Sequence, residues 1–226
     1  QFCNAFYDIL SLLIKKLPAD DLKTTNEVFH FGESHCLSFA HRSIVNDSCQ
    51  THITPVITFG AKAFHFSTPE NNNFKAITLQ NLNRIPRNSN VFLSFGEIDC
   101  RLSEGIIAAQ KKTNKKIKTL VEETVDGYVK WFLDSNNQNR HLFWFLNVPA
   151  PVFRNNCSRV ENELVAEVVS LFNKRLAANI EKEQLRLIDV YSGTNNNLGF
   201  SNLKHHIDGI HLGYSIITEI ERQFFT

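Results

Sequence analysis

The stretch that decides the fold lies at residues 29–35 and reads Phe-His-Phe-Gly-Glu-Ser-His. An apolar run that stops at Gly32 is typical of a buried strand ending in a sharp turn. Ser34 follows two residues later, where its hydroxyl can cap a helix predicted to run from Ser34 to about His41. The same position suits a nucleophile, because a helix N-terminus favours developing negative charge. A nucleophile also needs partners from elsewhere in the chain.

Strand-like and helix-like segments alternate along the rest of the chain. Parallel strands are usually joined by a crossover helix, so this alternation predicts a parallel sheet of about five strands in a three-layer α/β/α domain. We expect one domain over residues 1–226, with an N-terminal helical extension at residues 1–25. The predicted strands are Glu27 to Phe31, Pro55 to Phe59, Val91 to Phe95, His141 to Val148 and Leu185 to Val190. The predicted longer helices are Lys115 to Leu133, Glu161 to Ile180 and Gly213 to Phe225, and polar loops are expected at Asn71 to Asn73 and Asn81 to Asn90.

The composition argues against several classes of protein. The chain has 24 lysines and arginines against 23 aspartates and glutamates, which gives no reason to expect a nucleic acid or an anionic membrane as a partner. No apolar run approaches the length of a membrane span. The five cysteines are scattered without a CxxC pair, which favours reduced thiols and a cytoplasmic location. The absence of methionine indicates that the chain is a fragment of a longer protein.

Polar or glycine residues follow four of the five predicted strands, and these strand ends meet at one edge of a parallel sheet. Gly60 ends the second strand, and Gly-Glu-Ile-Asp-Cys-Arg follows the third at residues 96–101. The loop after the fifth strand contains Asp208-x-x-His211. This spacing lets one turn offer an imidazole with a carboxylate beside it, which can hold the ring in one tautomer and stabilise its protonated form.

With these motifs in this order, the sequence resembles the SGNH (GDSL-type) hydrolases from about residue 27 onward. Gly32-Glu33-Ser34 corresponds to their Gly-Asp-Ser block, Gly60 to the second-block glycine, and Asp208 to His211 to their Asp-x-x-His block. Gly96-Glu97-Ile98-Asp99 corresponds to Gly-x-Asn-Asp with one departure. The later Asn-Val-Pro-Ala-Pro at 147–151 adds a likeness to SGNH-type proteins associated with bacterial glycans. The resemblance implies a flavodoxin-like α/β/α fold.

The resemblance also implies the roles of the site residues. Ser34 would be the nucleophile and His211 its base, with Asp208 orienting the imidazole. The backbone N–H groups of Ser34 and Gly60 would bind the oxyanion. Gly96 and His35 are further candidates for substrate binding, although His35 is equally consistent with a solvent-facing position.

The departure is Ile98, which replaces the asparagine that donates to the oxyanion in the family. Loss of one such donor typically costs about 10²–10³ in rate. Arg101 is the obvious substitute if its guanidinium turns inward. The alternative is that Arg101 pairs with Asp99 or Glu97 and braces the loop, and the sequence leaves both open.

Other polar and aromatic residues have simpler interpretations. We expect Asp99 to brace its loop by hydrogen bonding and His30 to be a structural histidine within its strand. His205 and His206 suggest a polar rim more than a metal site, because adjacent histidines point in different directions and no second cluster supplies further ligands. A set of aromatic residues is expected in the core: Phe64, Phe66, Trp131, Phe143, Trp144 and Phe145.

These features predict a serine esterase that removes an O-acyl group, most simply acetyl, from a carbohydrate. No cofactor or metal is expected, because the serine itself carries the acyl group. Two alternatives remain open at this stage. One is an O-acyltransferase that uses the same triad, and the other is a glycan-binding module with a degenerate site.

Overall fold

A six-stranded sheet forms the centre of the protein. The computed structural model describes residues 26–46, 49–136 and 140–225, so the predicted helical extension at residues 1–25 lies outside the described residues. The strand order is β2-β3-β1-β4-β5-β6. The strands are β1 (Asn26–Gly32), β2 (Ser43–Asn46), β3 (Cys49–Ile57), β4 (Asn90–Ser94), β5 (Leu142–Leu146) and β6 (Arg186–Ile188). Five of them are parallel, and β2 alone runs antiparallel, beside β3.

Helices cover both faces of this sheet, which confirms the three-layer α/β/α fold. Alternate residues of each central strand enter opposite cores, as the two-residue period of a strand requires. Phe31 of β1 and Leu93 of β4 pack in one core, and Phe92 of β4 packs in the other. The helices are α1 (Ala63–Ser67), α2 (Asn73–Arg84), α3 (Gly105–Thr113), α4 (Ile117–Ser135), α5 (Arg159–Lys182), α6 (Val190–Thr194) and α7 (Ile217–Phe224).

Four local predictions differ from the structure. The second strand, expected at Pro55 to Phe59, is β3 over Cys49–Ile57, whose first residues are too polar to read as a strand. The polar segment expected to be a loop from Asn81 begins inside α2, a helix whose buried positions include Thr78 and only one large apolar residue, Leu82, so its sequence shows little periodicity. The helix expected from Ser34 to His41 is a 3₁₀ turn over Ser34–Leu37. The antiparallel β2 was not predicted, because its four residues are too short to show a strand pattern.

Two findings concern the features considered from composition. No helix among the described residues is long and apolar enough to cross a membrane. The four cysteines that fall within the described ranges, Cys36, Cys49, Cys100 and Cys157, are free thiols.

The register of the sheet positions the site. Gly32 pairs with Ile57 of β3 on one side and with Ser94 of β4 on the other. The N–H of Thr58 donates to the carbonyl of Gly32 at 2.8 Å, so the loops after β1 and β3 stay joined beyond the strands. The segments that carry Ser34, Gly60 and Gly96 therefore leave the sheet at the same edge.

Candidate active site

Ser34 lies immediately beyond the end of β1 and begins the 3₁₀ turn. Gly32 is required there by space, because a Cβ on it would lie 2.4 Å from the Ser94 hydroxyl oxygen. The glycine lets β1 end close against β4 and turn at once. Ser34 is left half-buried at the sheet edge, with its side chain available to groups from distant loops.

His211 contacts Ser34 across 177 residues of sequence. Its Nε2 lies 3.0 Å from the Ser34 Oγ, and its Nδ1 lies 2.7 Å from the Oδ2 of Asp208. The other oxygen of Asp208 accepts the backbone N–H groups of Ile210 and His211 at 2.7 and 2.6 Å. One short turn thus fixes the carboxylate and presents the imidazole beside it, as the spacing predicted. Burial would raise the pKa of Asp208, but these hydrogen bonds and the imidazole lower it.

A second carboxylate–histidine pair lies on the other side of Ser34. The Oε1 of Glu33 lies 2.5 Å from the Nδ1 of His35, and both side chains are buried. The Nε2 of His35 lies 3.2 Å from the carbonyl oxygen of Ile210. The alternative of a solvent-facing His35 is therefore wrong, because the turn that carries His211 covers it.

The two members of this buried pair hold each other ionised. Burial would raise the pKa of Glu33, but the charge and hydrogen bond of His35 and the hydrogen bonds from Ser34 outweigh it and lower the pKa to about 2. Burial would lower the pKa of His35, but Glu33, the charge of Glu97 and the Ile210 carbonyl raise it to about 9. A carboxylate and an imidazolium therefore lie beneath the serine at neutral pH.

The carboxylate oxygen of Glu33 that does not face His35 contacts the serine twice. Its Oε2 accepts the backbone N–H of Ser34 at 2.5 Å and also the Ser34 hydroxyl at 2.5 Å. Ser34 therefore lies between two histidine–carboxylate pairs, with His211 on its hydroxyl and Glu33 on its hydroxyl and its amide.

Arg101 pairs with Glu97. Its Nε lies 2.9 Å, and one terminal nitrogen 2.6 Å, from the Glu97 Oε2, and its other terminal nitrogen lies 3.7 Å from Glu104. These contacts are those of a brace, and an oxyanion role for Arg101 stays a prediction. Ile98 is buried and has no side-chain donor.

Asp99 braces its loop, as expected. Its two carboxylate oxygens accept the backbone N–H groups of Ala63 and Phe64 at 2.7 and 3.0 Å. They satisfy N–H groups in the first turn of α1 that have no partner within the helix. Burial raises the pKa of Asp99 to about 7, against the opposing effect of these hydrogen bonds.

The two glycines proposed for the site differ in what surrounds them. Gly60 has a φ of +67°, and a Cβ built on it would meet nothing within 4 Å, so it lies in an open turn beyond β3. Gly96 has a φ of +130°, and a Cβ on it would lie 2.6 Å from the ring of Phe172. Close packing and backbone conformation both require glycine at 96, whereas only conformation does at 60. Their roles in binding stay predictions.

The three other histidines considered in the sequence, His30, His205 and His206, each contact a different serine. The Nε2 of His30 lies 2.8 Å from the Ser94 Oγ, which agrees with a structural histidine. The Nδ1 of His205 lies 3.0 Å from the Ser215 Oγ, and the Nδ1 of His206 lies 2.8 Å from the Ser201 Oγ. His206 is half-buried, but His205 is buried, so the expectation of a polar rim is wrong for His205.

The predicted aromatic core is confirmed with one exception. Phe66, Phe143, Trp144 and Phe145 are buried. Trp131 is partly buried and packs against the core that contains Phe66. Phe64 is 50% exposed, because Asp99 holds the start of α1 with this side chain turned outward.

A groove of about 610 Å³, including its open mouth, lies beside the turn of Asp208 and His211. Gly209 and Ile210 of that turn form one wall, and Glu97 and Arg101 line another part. The segment 148–152, Val-Pro-Ala-Pro-Val, makes much of it apolar. Phe200 also lines the groove and packs edge-on against Phe153, with ring centres 5.4 Å apart. The groove is thus partly apolar and borders the turn that carries His211, although Ser34 itself does not line it.

Metal-ligand atoms come close together at one place within the described ranges. One atom each of Glu33, His35 and Glu97 lie within 4.8 Å of one another. Glu33 and His35 bind each other and Glu97 binds Arg101, so these atoms already have partners as an ion-pair network. The sequence reasoning found no such cluster, and the absence of a metal requirement stays a prediction.

Sequence reasoning placed Ser34, Asp208 and His211 at one site, and the structure brings all three together. Their catalytic roles stay a prediction. The reasoning missed the contact of Glu33 with Ser34. The available signal was local, since Glu33 and His35 flank the serine on both sides.

Comparison with known proteins identifies the fold. No protein-family model and no curated protein matches the sequence. Among solved structures, the chain is similar to a GDSL-like lipase from Bacteroides thetaiotaomicron VPI-5482, with a TM-score of 0.55 and 13% identity over 97% of this chain and 95% of that one. It is also similar to a member of the lipolytic protein G-D-S-L family from Veillonella parvula DSM 2008, with a TM-score of 0.51 and 12% identity over 89% and 97% of the two chains.

A third similar structure is a carbohydrate acetylesterase family member from Sinorhizobium meliloti. Its TM-score is 0.56 and its identity 11%, over 88% of this chain and 95% of that one. At such identities the likeness establishes the fold alone. The chain has the fold of the SGNH (GDSL-type) hydrolases, and the resemblance seen in the sequence is confirmed at that level.

Proposed function

We propose that the protein is a serine esterase that removes an O-acyl group, most simply acetyl, from a carbohydrate. The observation that carries the proposal is the chain of contacts from Ser34 Oγ to His211 Nε2 at 3.0 Å and from His211 Nδ1 to Asp208 at 2.7 Å. A serine hydroxyl is a weak nucleophile until a base takes its proton, and an imidazole held by a carboxylate is such a base.

The reaction proceeds in two halves. Ser34 Oγ attacks the ester carbonyl carbon while its proton moves to His211 Nε2. The tetrahedral intermediate collapses, and His211 gives that proton to the leaving sugar oxygen, which leaves an acyl group on Ser34. Water then attacks the acyl carbon, again giving a proton to His211, and the carboxylic acid leaves as Ser34 regains its hydroxyl.

The backbone N–H groups of Ser34 and Gly60 are the proposed oxyanion donors. Backbone donors are effective because they are fixed before the charge develops. Ile98 adds no third donor, so the proposed site relies on these two more than a site with a side-chain amide would.

Two features support a carbohydrate as the alcohol part. Phe200 lines the groove beside the Asp208–His211 turn and packs edge-on against Phe153, and exposed aromatic rings bind the apolar faces of sugars. Phe153 is 45% exposed and so is accessible to such a ligand. The name of the similar Sinorhizobium meliloti structure, a carbohydrate acetylesterase family member, agrees with this substrate class.

The test is release of acetate from acetylated oligosaccharides and from an aryl acetate by the purified protein. We expect turnover of both by the wild type and none by Ser34→Ala. His52→Ala, on β3 away from the site, is the matched control and should behave as wild type. Binding of the oligosaccharide without turnover would instead support the glycan-binding module.

A further inference from the structure

The backbone N–H of Ser34 is already engaged. It donates to the Oε2 of Glu33 at 2.5 Å. An N–H group donates along one direction, so an oxygen that takes this hydrogen bond occupies the place where an oxyanion would need to be. In the structure that place holds a carboxylate oxygen.

The hydroxyl of Ser34 is engaged by the same oxygen. Ser34 Oγ lies 2.5 Å from Glu33 Oε2 and 3.0 Å from His211 Nε2, and it has only one proton to donate. An ionised carboxylate has no proton, so the short contact with Glu33 requires that proton. While that proton is held by Glu33, His211 Nε2 has no serine proton to accept, so His211 cannot act as the base in this arrangement.

His35 fixes the carboxylate in this position. Its Nδ1 faces the Oε1 of Glu33, and its Nε2 faces the carbonyl oxygen of Ile210. Both partners are acceptors only, so both ring nitrogens donate and the ring is an imidazolium. Glu33 and His35 are 2% and 6% exposed, so little solvent screens the pair.

We propose that Glu33 is an internal occupant of the oxyanion site, which the carbonyl oxygen of a substrate must displace before Ser34 reacts. On displacement, Oε2 leaves the amide and the hydroxyl of Ser34, while Oε1 stays paired with His35. The Ser34 proton then turns to His211 Nε2, and the freed amide receives the oxyanion. No covalent bond changes in this step.

This inference rests on the proposed function and adds a selectivity rule to it. Displacing a paired carboxylate costs free energy that a small ester recovers only in part from its few contacts, so such an ester reacts more slowly. A substrate that also fills the groove beside Gly209 and Ile210 can offset that cost. Glu33 therefore lowers the reactivity of the free enzyme and directs it toward larger esters.

The test compares the rate at which an aryl fluorophosphonate labels Ser34 in the wild type, Glu33→Asp and Glu33→Gln. The phosphoryl oxygen of this probe needs the same N–H as an oxyanion. Aspartate keeps the charge but is one methylene shorter, so we expect labelling at least about tenfold faster, since one oxyanion donor is worth about 10²–10³. Glutamine keeps the size without the charge and should give a smaller gain. Glu163→Asp, an exposed position on α5, is the control for the substitution itself.

Labelling of both Glu33 variants no faster than of the wild type would overturn the inference. A crystal structure of the labelled wild-type protein gives an independent result if a variant fails to fold. We expect a phosphonyl oxygen on the Ser34 N–H with Glu33 Oε2 moved out of hydrogen-bond reach, and a Glu33 that still accepts this N–H would overturn the inference. Because labelling does not depend on ester turnover, a wild type that labels but hydrolyses no ester contradicts the proposed function alone.

Discussion

Two carboxylate–histidine pairs flank Ser34, and they differ in burial far more than in geometry. Glu33 and His35 are 2.5 Å apart with side chains 3% and 7% exposed. Asp208 and His211 are 2.7 Å apart with side chains 51% and 32% exposed. Both pairs have a carboxylate oxygen on Nδ1, and both lie within reach of the serine.

The difference lies in what the second ring nitrogen contacts. The Nε2 of His35 faces a backbone carbonyl, which can only accept, so His35 keeps its proton. The Nε2 of His211 faces a hydroxyl, which can donate or accept, so His211 can exchange a proton with Ser34. The same two residue types thus supply a fixed cation on one side of the nucleophile and a candidate base on the other.

Breaking the exposed pair should have the largest effect on activity. We expect His211→Ala to lower kcat for an aryl acetate by at least about 10³, because the serine then has no base in position. Asp208→Asn should leave more activity than His211→Ala, since a misoriented imidazole is impaired but present. Steady-state kinetics with His52→Ala as control measure both. Equal kcat for wild type and His211→Ala would show that the exposed pair is not the base.

Removing Arg101, which lies beside the buried pair, should have a smaller effect, and the effect should be on stability. Arg101→Ala leaves Glu97 without its bidentate partner beside Glu33, so we expect a loss of about 1–3 kcal/mol in the free energy of unfolding. We expect kcat to stay within about threefold, as for a brace. Urea unfolding and kinetics on the same samples separate the two quantities. Arg159→Ala, which breaks an exposed pair with Glu163, is the control and should change little.

A large loss of kcat in Arg101→Ala, with stability unchanged, would contradict the brace. It would assign Arg101 to the oxyanion in place of the asparagine missing at Ile98. Ile98→Asn should then restore part of the loss, and the two changes would be non-additive because both serve one oxyanion.

The buried pair should give the stability of the protein a pH dependence. Burial would lower the pKa of His35, but Glu33 and Glu97 raise it to about 9 from an ordinary value of 6.5. A raised pKa in the folded state adds stability that is fully present below about pH 6.5 and is lost as the pH rises through about 9. The free energy of unfolding should therefore fall more between about pH 6 and about pH 10 in the wild type than in His35→Gln.

The His35→Gln variant keeps every tyrosine, lysine and cysteine of the wild type. Any difference between the two pH profiles is therefore due to His35. The carboxylates of Glu33 and Asp208 affect stability at low pH instead. Their pKa values are lowered in the fold, so their contributions are lost as the pH falls. Parallel pH profiles for wild type and variant above about pH 7 would show that His35 does not hold its proton.

The exposed pair could be predicted from sequence because its geometry is local. Asp208 and His211 lie in one turn, and three residues fix the distance between their side chains. Strand ends of a parallel sheet meet at one edge, which brought Ser34 to the same place. Both arguments use only short-range patterns and the topology of the sheet.

The buried pair could not be predicted, because its behaviour depends on a cover from far away. His35 becomes a fixed cation only when the Ile210 carbonyl, 175 residues later, closes over it. The proximity of Glu33 and His35 was visible in the sequence, but their burial was not. The same limit applies to α2, whose polar sequence folds as a helix because Asn72 caps it and Leu82 reaches the core.

The most direct measurement of the central claim is the mass of the protein during turnover. Wild type and Asp208→Asn are mixed with an aryl acetate, quenched in acid within the first turnover and analysed as intact protein and as peptides. The account predicts one added acetyl group per chain, located on Ser34 and absent from Ser34→Ala. Turnover without an acetyl group on Ser34, or an acetyl group that persists in Ser34→Ala, would contradict it.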